Sequence, residues 1–458
     1  MKSVSMSKPK KLFILAIIYL LPLSECFTVS RKLSIPSLHD KTLLQQQQQT
    51  TQEVQNDNLP CPIQVRDAVF TLTPDNQTNA LYQRRKFLPF RRKVHYPENA
   101  QISFGYQYNE LVVPSAITSA NCTTTKIVLL IQPVGVGIGR WYYDRLLHEF
   151  QVCSKISDDD MVFIAPDLLG CGTASDPRVI SKDDGNSNPM KQLPLITVEN
   201  YSDQLIDLMQ NYERSIMSTN IEWSIVSNGG CVPIALEIAK QYLQDKGMLR
   251  GGLTNLILSA TPRVTSLNKP KDDEKVEKSY RTLSGIAGKA FWWYALRNDG
   301  DFIQKFSVKN LAAREENLGD EWRPKCVETA RAFEGKSRFS TFGFLAGSLN
   351  GGNLERFEIL KAHYEVEIDV ITGGDKRKNP AKSIFWDRRK EKKISAEKQS
   401  VVNEDHEPVE ETSLVSYLNG NGRKVNEIVV GGRRCPAHED ARQFSMAIIE
   451  ILQRTSSI

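Results

Sequence analysis

A serine, Ser227, sits inside SIVSNGGCVPIALEIA, the stretch from Ser224 to Ala239, where an apolar strand-like run passes through Ser-Asn-Gly-Gly into a helix-like run. A serine at the tip of a sharp strand-to-helix turn can act as a nucleophile. Small neighbours let strand and helix approach each other, and the helix N-terminus stabilises negative charge. A second glycine-rich stretch, GVGIG from Gly135 to Gly139, also follows a strand-like run and invites comparison with a phosphate-cradling loop. The dinucleotide pattern G-x-G-x-x-G would need glycine at Arg140, and no acid closes a second strand about 20 residues further on. No cofactor is therefore expected. The eight cysteines are scattered singly, without a CxxC pair, which disfavours a disulfide scaffold and a metal knuckle. Cys171, Cys231 and Cys435 are expected as small buried thiols.

These residues need a scaffold, and the chain of 458 residues is long enough for one large α/β domain with insertions. Beyond residue 100, strand-like runs alternate with helix-like stretches: KIVLLIQ, MVFIAPD, EWSIVS, LTNLILSA, EVEIDVITGG and NEIVVGG. That alternation predicts a mostly parallel central sheet with flanking helices. ISFGYQYNELVVP is expected to form an antiparallel start. The core is expected in two parts, 86–262 and 356–458. Between them, 263–355 reads as a helical cap insertion holding Phe291, Trp292, Trp293, Tyr294, Phe302, Trp322, Phe339, Phe342 and Phe344. The charge-dense stretch at 376–410 is expected to be a solvated loop.

The front end reads as an address. KPKKLFILAIIYLLPLSEC has a basic start, a 12-residue apolar run from Leu12 to Leu23, and a small-x-small end at Ser24-Glu25-Cys26. That run is short for a membrane span, so residues 1–26 read as a cleaved signal peptide, leaving no stable transmembrane segment. Residues 27–85 combine a Ser-, Thr- and base-rich transit-like stretch with a glutamine-rich, low-complexity linker. The pair resembles the bipartite plastid presequences of diatoms and related algae. Plastid delivery is the expectation, with secretion as the alternative that sequons at Asn76, Asn121 and Asn200 would fit. Net charge is +5, and six bases against two acids in the first forty residues leave about +1 for the rest. Nothing there suits a nucleic-acid partner.

Strand, Gly-rich loop, strand-Asp, strand-Ser-x-Gly-Gly-helix, cap, strand-Gly-Asp and a last strand before a terminal helix: this order resembles the α/β-hydrolase superfamily over about residues 100–455. The strongest pieces are VLLIQPVGVGIGRWYYDRLL, MVFIAPDLLGCGTASDP and VSNGGCVPIALEIA. The VGVG loop with its following aromatics is similar to that of plastid hydrolases acting on chlorophyll-derived esters.

The resemblance implies Ser227 as nucleophile, His438 as base, Asp375 as the orienting acid, and the backbone N–H groups of Val134 and Asn228 as oxyanion donors. Asp167 matches a structural turn residue. Three positions depart from the family pattern. Ile225 stands where a glycine usually precedes the nucleophile, Gln132-Pro133 replaces His-Gly, and Arg434 stands where the terminal histidine belongs, with His438 four residues late. Arginine cannot act as a base near neutral pH. Two functions follow. One is a serine hydrolase cleaving an apolar carboxylic ester or thioester. The other is a non-catalytic member of the fold that binds a lipid-like ligand or a protein partner, with Arg434 available to a ligand carboxylate.

Overall fold

The computed structural model describes residues 61–74, 81–84, 91–94, 100–115, 124–153, 159–173, 176–180, 187–189, 192–218, 220–268, 270–375 and 413–455. The apolar run at Leu12–Leu23, the sequons at Asn76 and Asn121, and the charged loop 376–410 lie outside those residues. No helix among the described residues is long and apolar enough to cross a membrane.

In chain order the strands are β1 Gln64–Leu72, β2 Leu81–Arg84, β3 Arg91–Val94, β4 Gln101–Val113, β5 Thr124–Ile131, β6 Asp160–Pro166, β7 Asp176–Ile180, β8 Ser187–Pro189, β9 Asn220–Asn228, β10 Gly252–Ser259, β11 Glu367–Gly373 and β12 Asn426–Val430. Among the described residues ten of them form one sheet, ordered β12-β11-β10-β9-β5-β6-β4-β7-β8, with β1 alongside β4. Neighbours from β6 to β12 are parallel, while β4 runs antiparallel to β6, β7 and β1. Among the described residues β2 and β3 pair with each other in a separate two-stranded sheet.

The core starts earlier than residue 86, because β1 belongs to the sheet. Only Phe70 and Leu72 of that strand are buried, while most of its residues face solvent. So sparse an apolar pattern on a strand beside long β4 does not announce itself in sequence. The β7–β8 hairpin was likewise not foreseen.

The central strands are apolar on both faces, as a parallel sheet covered by helices requires. One face carries Ile127, Leu129, Ile131, Ile225, Leu256 and Leu258 and packs on the helices Val198–Ser215 and Val232–Gln244. The other carries Val128, Leu130, Val226 and Ile257 and packs on Asp144–Cys153 and Ala441–Thr455. The helix Val232–Gln244 is buried along nearly its whole first half, Val232 to Ala239. Val198–Ser215 opens with a capping box between Thr197 and Asn200. Asn200 is thereby buried and hydrogen-bonded, so its sequon offers no accessible amide for a glycan. Between β10 and β11 lies the helical insertion: Asp273–Leu283, Ile286–Leu296, Asp301–Asn310, Trp322–Gly335 and Arg338–Ala346. Leu354–Ala362 follows and leads into β11.

Candidate functional site

β9 continues in extended conformation through Asn228, at φ −114° and ψ 131°. The chain turns at Gly229, whose φ is +57°, and the helix opens at Val232 with Pro233 in its first turn. A nucleophile elbow places its reactive side chain on the strained residue at the tip. Here the tip residue is glycine. A side chain on Gly229 would meet only the Ala260 carbonyl, 4.0 Å away, so the space is open and the chemistry missing.

Ser227 is instead an interior strand residue, paired with Ile131 and Leu258 and fully buried. Side chains alternate along a strand. Asn228 reaches the Tyr142 hydroxyl on one face, donating at 2.7 Å, so Ser227 points to the other, the side of Ile225. His438 belongs to the Tyr142 face. Its ring lies 4.7 Å from that of Trp322, 6.0 Å from Tyr142 and 6.1 Å from Trp141. Its Nε2 is 2.9 Å from the Leu318 carbonyl oxygen. Desolvation lowers the imidazole to about 4, opposed by the Leu318 carbonyl, so the ring is neutral. Asp375 is exposed, and its carboxylate accepts the Gly432 N–H at 3.1 Å. The expected triad of Ser227, His438 and Asp375 is therefore not assembled: a sheet separates the first two, and the third is held by a glycine backbone.

Of the expected oxyanion donors, the Val134 backbone N–H is committed. Burial pushes the Cys231 thiol up to about 12, against a hydrogen bond from the Val134 backbone N–H. Arg434 is exposed, and its backbone N–H donates to the Leu311 carbonyl at 3.1 Å. Cys171 and Cys435 are buried, with desolvation raising both thiols. Asp167 is structural: its carboxylate receives the Arg140 backbone N–H at 2.7 Å and the Arg140 guanidinium at 3.2 Å. The GVGIG loop is a packing loop. A Cβ on Gly137 would lie 1.8 Å from the Cys326 carbonyl oxygen of the cap.

A parallel run of strands crossed between β5 and β6, an antiparallel β4, and a sharp turn from β9 into a central helix decide the scaffold. The chain has the α/β-hydrolase fold. No family model matches the sequence, and no curated protein matches it. Among solved structures it is similar to the peroxisomal alpha-beta-hydrolase Lpx1 of Saccharomyces cerevisiae, at 11% identity and TM-score 0.46, over 86% of this chain and 90% of that one. It is also similar to the epoxide hydrolase CorEH, at 9% identity and TM-score 0.44, over 76% and 96%. A third is juvenile hormone epoxide hydrolase of the silkworm Bombyx mori, at 12% identity and TM-score 0.42, over 78% and 77%.

On this α/β-hydrolase scaffold the cap is fastened directly over the elbow. Thr341 donates to the Gly135 carbonyl and Ser340 to that of Leu169, while Tyr280 reaches Leu193. The Phe344 ring lies where a Cβ on Gly230 would be, 2.5 Å from it. Beneath, Gln132, Ser227 and Ser259 are fully buried at the carboxyl ends of adjacent strands, with no hydrogen-bond partner among the described residues. Sequence reasoning missed Gly229, although a signal was present. Setting the tip at Ser227 forces branched Ile225 into the small position two residues before it. Setting it at Gly229 puts Ser227 and Cys231 in both small positions.

Proposed function

We propose that this chain is a non-catalytic α/β-hydrolase-fold protein that works by binding a lipid-like ligand. The observation that carries the reading is Gly229 at the tip of the elbow, where a nucleophile's side chain would be. Ser227 facing away from His438 supports it. The unpartnered Gln132 and Ser259, level with Asn228 on the sheet face of His438, suit a bound guest, since each such group costs about 1–3 kcal/mol unless something meets it.

The test is labelling of the full chain with a fluorophosphonate probe, beside Ser227→Ala and His438→Ala. No labelling of folded wild type is expected. Labelling that disappears in both variants would overturn the proposal and restore the serine-hydrolase reading, in which Ser227 attacks an apolar ester or thioester. One observation favours that second reading: the Ser227 hydroxyl is uncommitted.

Plastid delivery is proposed from the bipartite leader alone. Fusing residues 1–60 to a fluorescent protein in a diatom tests it, and export to the medium would point to secretion.

A further inference from the structure

The outer side of the cap carries a groove of about 540 Å³, within the size range of small-molecule sites. Its floor is Trp292, Trp293 and Leu296 of the helix Ile286–Leu296. Four cations rim it: Lys289 on that helix, Arg297 just past its end, Arg331 on the helix Trp322–Gly335 and Arg338 on Arg338–Ala346. No acidic residue is among the described residues lining it, and Asp299, which Arg331 meets at 3.4 Å, lies beyond that lining. Trp293 is 66% exposed, and Ile286, two turns earlier on the same helix, is 67% exposed. Large apolar side chains left in water beside concentrated positive charge are unusual for a packing surface.

A second observation bears on what would fill the groove. Trp292 is nearly buried, yet its indole N–H has no acceptor. Next to it the helix Trp322–Gly335 ends on a glycine at φ +70°, and that residue keeps the space clear. A Cβ on Gly335 would stand 3.2 Å from the indole nitrogen and 3.5 Å from the Arg338 guanidinium. The unmet indole N–H and the Arg338 guanidinium, which already donates to the Gly335 carbonyl at 2.8 Å, therefore converge on one side-chain-free point at the end of an aromatic floor. An indole N–H needs an acceptor, guanidinium groups favour an anionic one, and exposed tryptophan favours a flat apolar body.

We infer that this groove binds a planar amphipathic organic anion, its acidic group held by Trp292, Arg331 and Arg338 and its body laid on Trp293. The site is on the cap, apart from the elbow, and stands whether or not Ser227 is reactive. Carboxylate, sulfonate and phosphate heads share the chemistry required.

The experiment is calorimetric titration of the full chain with 2-naphthoate, its neutral amide 2-naphthamide, and inorganic phosphate. One site is expected for 2-naphthoate, at least tenfold tighter than for either comparator, weakening as salt rises. Trp293→Ala and Arg331→Gln, both at exposed positions where folding is retained, should each weaken 2-naphthoate at least tenfold. Arg314→Gln, an exposed arginine elsewhere on the chain, should change it less than twofold. Equal affinity for the amide would remove the anionic requirement and overturn the inference. So would equal affinity for phosphate alone, or wild-type binding by Trp293→Ala and Arg331→Gln.

Discussion

The Asn228 side-chain amide donates to the Tyr142 hydroxyl at 2.7 Å, and Tyr142 is the ring on which His438 stacks. That bond fixes which face the end of β9 presents to the histidine, and it is not the face of Ser227. Removing the acceptor with Tyr142→Phe leaves a buried amide N–H unmet and should cost about 1–3 kcal/mol in urea unfolding. Ser227→Ala deletes a buried hydroxyl that bonds to nothing described, so it should be neutral or slightly stabilising. A cost above about 1.5 kcal/mol for Ser227→Ala would mean that the hydroxyl has a partner after all.

His438 makes stability depend on pH. Its folded value of about 4 lies below the ordinary 6.5, so between these the unfolded chain binds more protons and stability rises with pH. The size is on the order of 3 kcal/mol across the window. Asp167 works in the opposite sense. Desolvation, opposed by Arg140, lifts its carboxyl to about 6, so its contribution is present at low pH and is lost as pH rises through 6. These two contributions should therefore largely cancel from pH 4 to 6. His438→Gln should remove the rising part and leave stability falling over that range. Urea midpoints at pH 4, 5, 6 and 7 measure this, and parallel curves for the two proteins would refute it.

The scaffold was legible because its strands are buried on both faces. Continuous apolar runs such as KIVLLI and VFIAP mark β5 and β6 whatever lies around them. β1 was not legible, since nearly all of it faces water. The site was harder for a different reason. Ser-Asn-Gly-Gly satisfies an elbow in two registers, and only backbone angles decide between them. The fate of His438 depended on Leu318 and Trp322, more than a hundred residues away in the cap, which no local pattern connects to it.

Two glycines in the same region should respond differently to alanine. At Gly229 the obstacle is the backbone angle alone, with open space for a methyl group, so Gly229→Ala should cost about 1–2 kcal/mol. At Gly137 a φ of +71° is joined by collision with the Cys326 carbonyl. That atom is backbone and cannot swing aside, so Gly137→Ala should cost about 3 kcal/mol or more and loosen the cap. Urea unfolding gives the two costs, and limited proteolysis within 270–350 reads the loosening. Equal costs would mean that the cap does not press on the loop.

Arg356 ties the helix leading into β11 to the elbow helix. Its guanidinium bonds Glu237 of Val232–Gln244, and also Glu199, the Asn353 side chain and the Gly352 carbonyl. Glu237 is almost wholly buried, so removing Arg356 leaves its charge met less closely, by Lys240 and the Gln241 amide at 3.4 Å each. Arg356→Met should cost about 3–5 kcal/mol, more than most surface ion pairs could contribute several times over. Replacing both ends should cost far less, because two apolar groups of similar size desolvate nothing that needs a counter-charge. Arg356→Met with Glu237→Met is therefore expected to recover most of the loss in urea unfolding. A double variant as unstable as the single one would show that Arg356 acts mainly through Glu199 and the Gly352 turn rather than through the elbow helix.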